Sequence, residues 1–230
     1  MQKSIFFLLL LFITGTIACK KKKDATPPPP ATASDYMPMT TGSEWNYTVT
    51  TNGAPSTYKL TATAKDSLFS NGRNYKVYTN SSGPNEYYFR TGSEYYRYTV
   101  LPGLSSQSFE LKYLIDNLSV GATWVETKNA LVPITGFGTI PVTVEITFKI
   151  EEKGISHTVD SKVFSDVIRV SAKLKITAPD PLGVIIPSPN DINYYFAKGI
   201  GMVHNTIVFG VSLASINVNS ETKLTSYTIK

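Results

Sequence analysis

Apolar and polar residues alternate with a period of two along most of the chain from residue 35 onward, the repeat of strands with one buried face. The clearest run sets Ile140, Val142, Val144, Ile146, Phe148 and Ile150 against Pro141, Thr143, Glu145, Thr147 and Lys149. A second sets Ile168, Val170, Ala172, Leu174 and Ile176 against Arg169, Ser171, Lys173 and Lys175. Between them 151–154 reads as a turn, and the irregular stretch that follows predicts a short helical turn over 163–165. The N-terminal half reads as hairpins. Trp45, Tyr47 and Val49 lead to Asn52-Gly53, and Tyr58, Leu60, Ala62 and Ala64 return. Asn71-Gly72 and Thr91-Gly92-Ser93 mark two further hairpin turns. Later strands are predicted over 192–197, 202–209, 211–218 and 222–229. No segment after residue 35 carries a helical stripe of ten residues. Ten to thirteen short antiparallel strands joined in sequence predict an all-β fold. The expected form is a strongly curved meander closing as a half-barrel or a lipocalin-like barrel, which removes exposed sheet edges.

The first 34 residues break this pattern. Lys3 precedes an apolar segment, Ile5 to Ala18, interrupted only by Thr14, Gly15 and Thr16. As a helix it spans roughly 21 Å at 1.5 Å per residue, short of the roughly 30 Å hydrocarbon core, so it reads as a cleaved export signal. Thr16-Ile17-Ala18-Cys19 resembles the bacterial lipobox, with Thr16 standing where Leu is usual. In that motif the Cys is acylated and becomes the new N-terminus. Four lysines, Lys20 to Lys23, and four prolines, Pro27 to Pro30, follow and can build no core. Near polyproline II, at about 3.1 Å per residue, the fifteen residues reach up to roughly 45 Å. The chain therefore divides into a lipoprotein signal peptide (1–18), a lipidated Cys with a polybasic, Pro-rich tether (19–34) and a single β domain (35–230). By resemblance to the sorting rule of Gram-negative lipoproteins, Lys20 after the Cys implies the outer membrane. Periplasmic and surface-facing orientations both stay open.

Composition narrows the function. The single Cys and two His rule out a disulfide scaffold and the usual Cys/His zinc sites. The formal charge of +5 suggests nucleic acid until it is partitioned. Lys3 and Lys20 to Lys23 lie before residue 35, as does Asp24 alone among the acids, leaving 17 basic and 16 acidic residues in the domain. The excess belongs to the leader and tether, and no nucleic-acid partner is expected.

Met39-x-x-Gly42-x-x-Trp45 and Leu118-x-x-Gly121-x-x-Trp124 share a spacing and hold both tryptophans. The pattern reads as a device for starting a strand, Gly permitting the bend and Trp anchoring the strand in the core. Together with the lipobox-like Cys19, three short motifs resemble a large group of bacterial lipoproteins. They are Tyr36-x-Pro38-x-x-x-Gly42-x-x-Trp45, Phe164 to Ile168 and, most telling, Tyr194-Tyr195-Phe196-Ala197-Lys198-Gly199-Ile200-Gly201 running on to Met202-Val203. That resemblance implies a curved antiparallel sheet similar to the half-barrels of the lipoprotein carriers LolA and LolB, with the aromatic-Ala-Lys-Gly-Ile-Gly turn near its end. It carries over no catalytic residue, and the 178–189 insert departs from the pattern.

No constellation for catalysis is legible. There is no Gly-x-Ser-x-Gly elbow, His157 and His204 have no signature around them, and Glu151 and Glu152 would point to opposite faces of a strand. No calcium loop or cofactor motif occurs. The informative feature is tyrosine, eleven of fourteen lying between Tyr36 and Tyr113. If Gly92-Ser93 forms a two-residue type II′ turn, Arg90 opposes Tyr95 and Tyr88 opposes Arg97 on one face, while Phe89, Tyr96, Tyr87 and Tyr98 share the other. Tyr88, Arg90, Tyr95 and Arg97 are thus the candidate ligand-binding set, suited to stacking a sugar or holding an anionic headgroup. Two functions follow for a lipid-anchored, non-enzymatic envelope protein without cofactor. One holds a hydrophobic or lipid ligand in the curved sheet; the other is a surface glycan-binding or adhesion module using the Tyr/Arg face.

Overall fold

The computed structural model describes residues 35–100, 108–134 and 136–230. The signal peptide, Cys19 and the tether lie outside the described residues. In chain order the strands are β1 (Glu44–Thr51), β2 (Ala54–Leu68), β3 (Asn74–Asn80), β4 (Glu86–Thr91), β5 (Glu94–Val100), β6 (Ser108–Ile115) and β7 (Thr123–Ile134). They continue as β8 (Gly138–Val159), β9 (Lys162–Thr177), β10 (Val184–Ile185), β11 (Asn190–Ala197), β12 (Gly201–Val211) and β13 (Ile216–Thr228). One 3-10 turn, Ser212–Ala214, links the last two.

All pairings are antiparallel and the sheet runs β6-β5-β4-β3-β2-β1-β13-β12-β11-β9-β8-β7, with β10 paired to β9 off this path. β1 pairs with β13, so the two ends of the domain share one ladder, and every strand described lies within residues 44–228. The outermost strands β6 and β7 are neighbours in sequence. The meander therefore curls round until it is nearly a closed barrel. At the seam Trp124 Nε1 donates to the Lys112 carbonyl at 2.9 Å, and Lys153 Nζ to the Asp116 carbonyl at 2.6 Å. The edge strand β7 turns Glu126 and Lys128 inward, paired at 2.9 Å, a charge placement that discourages pairing with another chain.

The two long alternating runs become β8 and β9. Their apolar faces, Val144 to Ile150 and Val170 to Ile176, are buried in the barrel, each large side chain contributing about 1.5–3 kcal/mol. The three hairpin turns fall where the sequence puts them. Asn52 and Gly53 both take positive φ, 49° and 83°. The repeated Gly-x-x-Trp spacing is one device used twice. Gly42 (φ 85°) donates its N–H to Ala62, which donates back to Ser43; Gly121 (φ 88°) donates to Ile150, which donates back to Ala122. A strand then starts, and its Trp turns inward.

Three expectations are corrected. Residues 151–154 make no turn: β8 runs through them for 22 residues and absorbs the Glu-Glu-Lys-Gly segment in bulges against β9, with Gly154 at φ 70°. The chain reverses instead after Val159, Asp160 taking φ 53°, so 163–165 is strand and not a helical turn. The strands predicted over 211–218 and 222–229 are one, β13, because Val211 closes β12 and the 3-10 turn intervenes.

Candidate functional site

Inside the barrel lies a cavity of about 470 Å³. Its rim is exposed chain: Pro84 and Asn85 from the β3–β4 loop, Val100 at the end of β5 and Ser108 at the start of β6. One wall is apolar, formed by Ile146, Phe148, Leu174, Ile192, Ile207 and Phe209, the inward positions of β8, β9, β11 and β12. The other is polar, with Tyr58, Glu86, Tyr88, Arg97, Tyr194 and Asn205. Alternation explains both: each strand sends every second side chain inward, and β4 and β5 happen to send Tyr and Arg.

The β4–β5 register is the expected one. Tyr88 pairs with Arg97 and Arg90 with Tyr95, and of the turn residues Gly92 takes positive φ, 56°. The four candidate residues nevertheless separate into two pairs with different roles. Tyr88 and Arg97 line the cavity. Arg90 and Tyr95, nearer the turn, clasp the segment that leads into the domain: Arg90 pairs with Asp35 at 3.2 Å, and Tyr95 Oη accepts the Tyr36 N–H at 3.2 Å while donating to Asp116 at 2.7 Å. The face is therefore not an exposed platform, because the barrel curls toward it. Burial and the Asp116 carboxylate push the Tyr95 phenol above its ordinary pKa, and Tyr36, buried and facing Asp166, is pushed up to about 12.

Arg97 reaches across the barrel from β5, its guanidinium carbon 5.7 Å from the Tyr113 ring centre on β6 and 5.7 Å from that of Tyr194 on β11. Its Nε is shut off from solvent and has no hydrogen-bond partner among the described residues; the same holds for Tyr113 Oη. Burial opposes the charge, but Tyr194, Tyr88 and Glu86 outweigh it and hold the pKa above the ordinary arginine value. Glu86 is itself engaged, accepting from Asn80 at 3.0 Å and from Tyr88 Oη at 2.6 Å. Burial first, then Glu86, raises the Tyr88 pKa well above that of a free phenol, so Tyr88 stays a neutral donor.

No family model matches the chain, and no curated protein matches it. A candidate lipoprotein from Parabacteroides distasonis has a similar solved structure, at 13% identity and a TM-score of 0.52, over 85% of this chain and 99% of that one. The two share a fold. A candidate exported protein with a YmcC-like fold from Bacteroides fragilis aligns at 9% identity and a TM-score of 0.42, over 84% of this chain and 98% of that one.

Sequence reasoning missed a second cluster, on the outside of the barrel. His157 of β8 and His204 of β12 meet, Nε2 to Nδ1 at 3.0 Å, and His204 Nε2 reaches Glu221 at 3.0 Å. Tyr195 stacks on His157 at 3.9 Å. The histidines stand 47 positions apart with no local signal between them; only the order of the strands brings them together. Among the described residues neither ring is hydrogen-bonded to a serine, threonine or cysteine, and no group of three His, Cys, Asp or Glu is placed to hold a metal. It is a self-satisfied polar chain bracing β8, β12 and β13.

Proposed function

We propose that this is a lipid-anchored protein of the bacterial cell envelope, held in the outer membrane by acyl chains on Cys19, whose barrel binds a hydrophobic or lipid ligand without catalysing a reaction. The observation that carries the reading is the cavity of about 470 Å³ with a continuous apolar wall and a rim open at one end of the β4–β5 hairpin. That volume lies in the usual range for small-molecule sites, and interiors without such a role are packed to near-crystalline density. The shared fold with a candidate lipoprotein supports the setting, as does the lipobox-like sequence before Cys19. The motif resemblance to lipoproteins with LolA- and LolB-like half-barrels implies a way of working, a curved sheet that shields acyl chains from water. A glycan site on the Tyr/Arg face finds less support, since Tyr88 and Arg97 turn into the barrel and Arg90 and Tyr95 are engaged in holding its N-terminal segment.

The barrel, residues 35–230, purified from a Gram-negative periplasm and extracted with organic solvent, should yield a stoichiometric lipid by mass spectrometry against a mock purification. An extract that matches the mock, with no uptake of added lipid, overturns the reading. Cys19→Ala in the full chain should move the protein from the membrane fraction to the soluble one; retention contradicts the anchor.

A further inference from the structure

We infer that the cavity's ligand is an amphiphile with a singly charged carboxylate head, seated with the head on Arg97 and the chain along Ile146, Leu174, Ile192, Ile207 and Phe209. This rests on the ligand-binding reading above and deepens it by assigning the head group.

Arg97 carries a positive charge inside a barrel, and the surrounding protein does not pair it. Its close neighbours are the rings of Tyr113 and Tyr194, and its Nε has no partner among the described residues. Glu86, the carboxylate nearest in effect, makes no hydrogen bond to it and is held by Asn80 and Tyr88 instead. Tyr194, Tyr88 and Glu86 favour that charge through space without a hydrogen bond to it, whereas a carboxylate meets a guanidinium through two parallel charge-assisted hydrogen bonds. A ligand carboxylate thus supplies what the protein withholds.

Glu86 also sets the charge of that head. It lines the same cavity, so a doubly charged phosphate would confront it, while a monoanion neutralises Arg97 and leaves Glu86 with its own donors. The rest of the ligand follows from the opposite wall, which offers apolar side chains for a hydrocarbon chain to cover.

The test uses the barrel (residues 35–230), stripped of lipid, and three twelve-carbon probes: dodecanoate, dodecanol and dodecyl phosphate. Trp124 stacks on Phe148 of the cavity wall at 5.2 Å and reports binding through its emission. Dodecanoate should bind at least about tenfold tighter than dodecanol, the scale of a hydrogen-bonded charge pair, and tighter than dodecyl phosphate. Arg97→Met should erase the preference for dodecanoate over dodecanol while Arg73→Met, on the outer face, preserves it. The comparison among probes on the unaltered barrel stands whether or not the variant folds. Equal affinity for acid and alcohol overturns the carboxylate assignment and leaves an apolar carrier intact. Tighter phosphate overturns the assignment in favour of a phosphate head. Binding of none of the three overturns both this inference and the reading beneath it.

Discussion

The two faces of the β4–β5 hairpin are built from the same residue types and come to opposite ends. On the outer face Phe69, from the β2–β3 turn, folds over the sheet and packs against Tyr75, Tyr87 and Tyr98, with ring centres 4.9, 5.0 and 4.1 Å away. Arg73 from the same turn lies 4.1 Å over Tyr96 and pairs with Glu110 at 2.6 Å; Asn71 and the Tyr75 hydroxyl also donate to Glu110. Every charge there has its partner, and the cluster is a second small core on what would ordinarily be a solvent face. On the inner face Arg97 sits among tyrosines with no carboxylate bonded to it. A saturated arginine fastens structure, and an unsaturated one in a cavity keeps its donors open. Residue type alone distinguishes neither; the face and the partners do.

The largest break in this comparison comes from the outer core. Tyr75 is fully buried (0% exposed), wedged among Phe69, Phe89 and Tyr98. Tyr75→Ala should lower stability by about 3–5 kcal/mol, read from urea unfolding of the barrel. A midpoint equal to that of the unaltered protein would mean the outer cluster is decoration. Next, Arg73→Met removes one partner of the Glu110 hub, which is 23% exposed. The expected loss is about 1–2 kcal/mol, reduced from the value for a fully buried charged hydrogen bond by partial exposure.

How far the sequence reaches is visible in this same hairpin. Gly92-Ser93 fixes the turn, the turn fixes the register, and the register says correctly that Tyr88 and Arg97 share a face. Alternation cannot say which face is inside when both are aromatic and basic. That depends on the direction in which the whole sheet curls, and on β1 meeting β13 across nearly the length of the domain. For the same reason Tyr194 was legible as part of a strand motif but not as the ring opposite Arg97. Glu151–Gly154 misled for a different reason: its composition suits a turn, yet β8 has a long partner in β9 that holds it extended through bulges.

Arg97→Met sharpens the contrast from the inner face. The same substitution that weakens the outer face should change the stability of the ligand-free barrel by less than about 1 kcal/mol, since Arg97 has no hydrogen-bonded carboxylate to lose. Both variants belong in one unfolding series. A loss for Arg97→Met as large as that for Arg73→Met would show that the inner arginine too is a fastening.

The smallest effect concerns the other polar cluster of the outer face, where satisfaction depends on protonation. With His204 donating Nε2–H to Glu221, its Nδ1 is free to accept from His157 Nε2–H, and the chain closes with both rings neutral. Burial, then the neighbouring His204, holds the His157 pKa below its ordinary 6.5. A folded-state pKa below the unfolded one means the unfolded chain takes up the proton first as pH falls. The stability contributed by neutral His157 is therefore complete above about pH 6.5 and is lost as the pH falls from there through the folded-state value. The urea midpoint should drop modestly between about pH 7 and pH 5.5, and His157→Gln should flatten that drop. A midpoint that rises on acidification would show that the folded protein, and not the unfolded chain, prefers the proton.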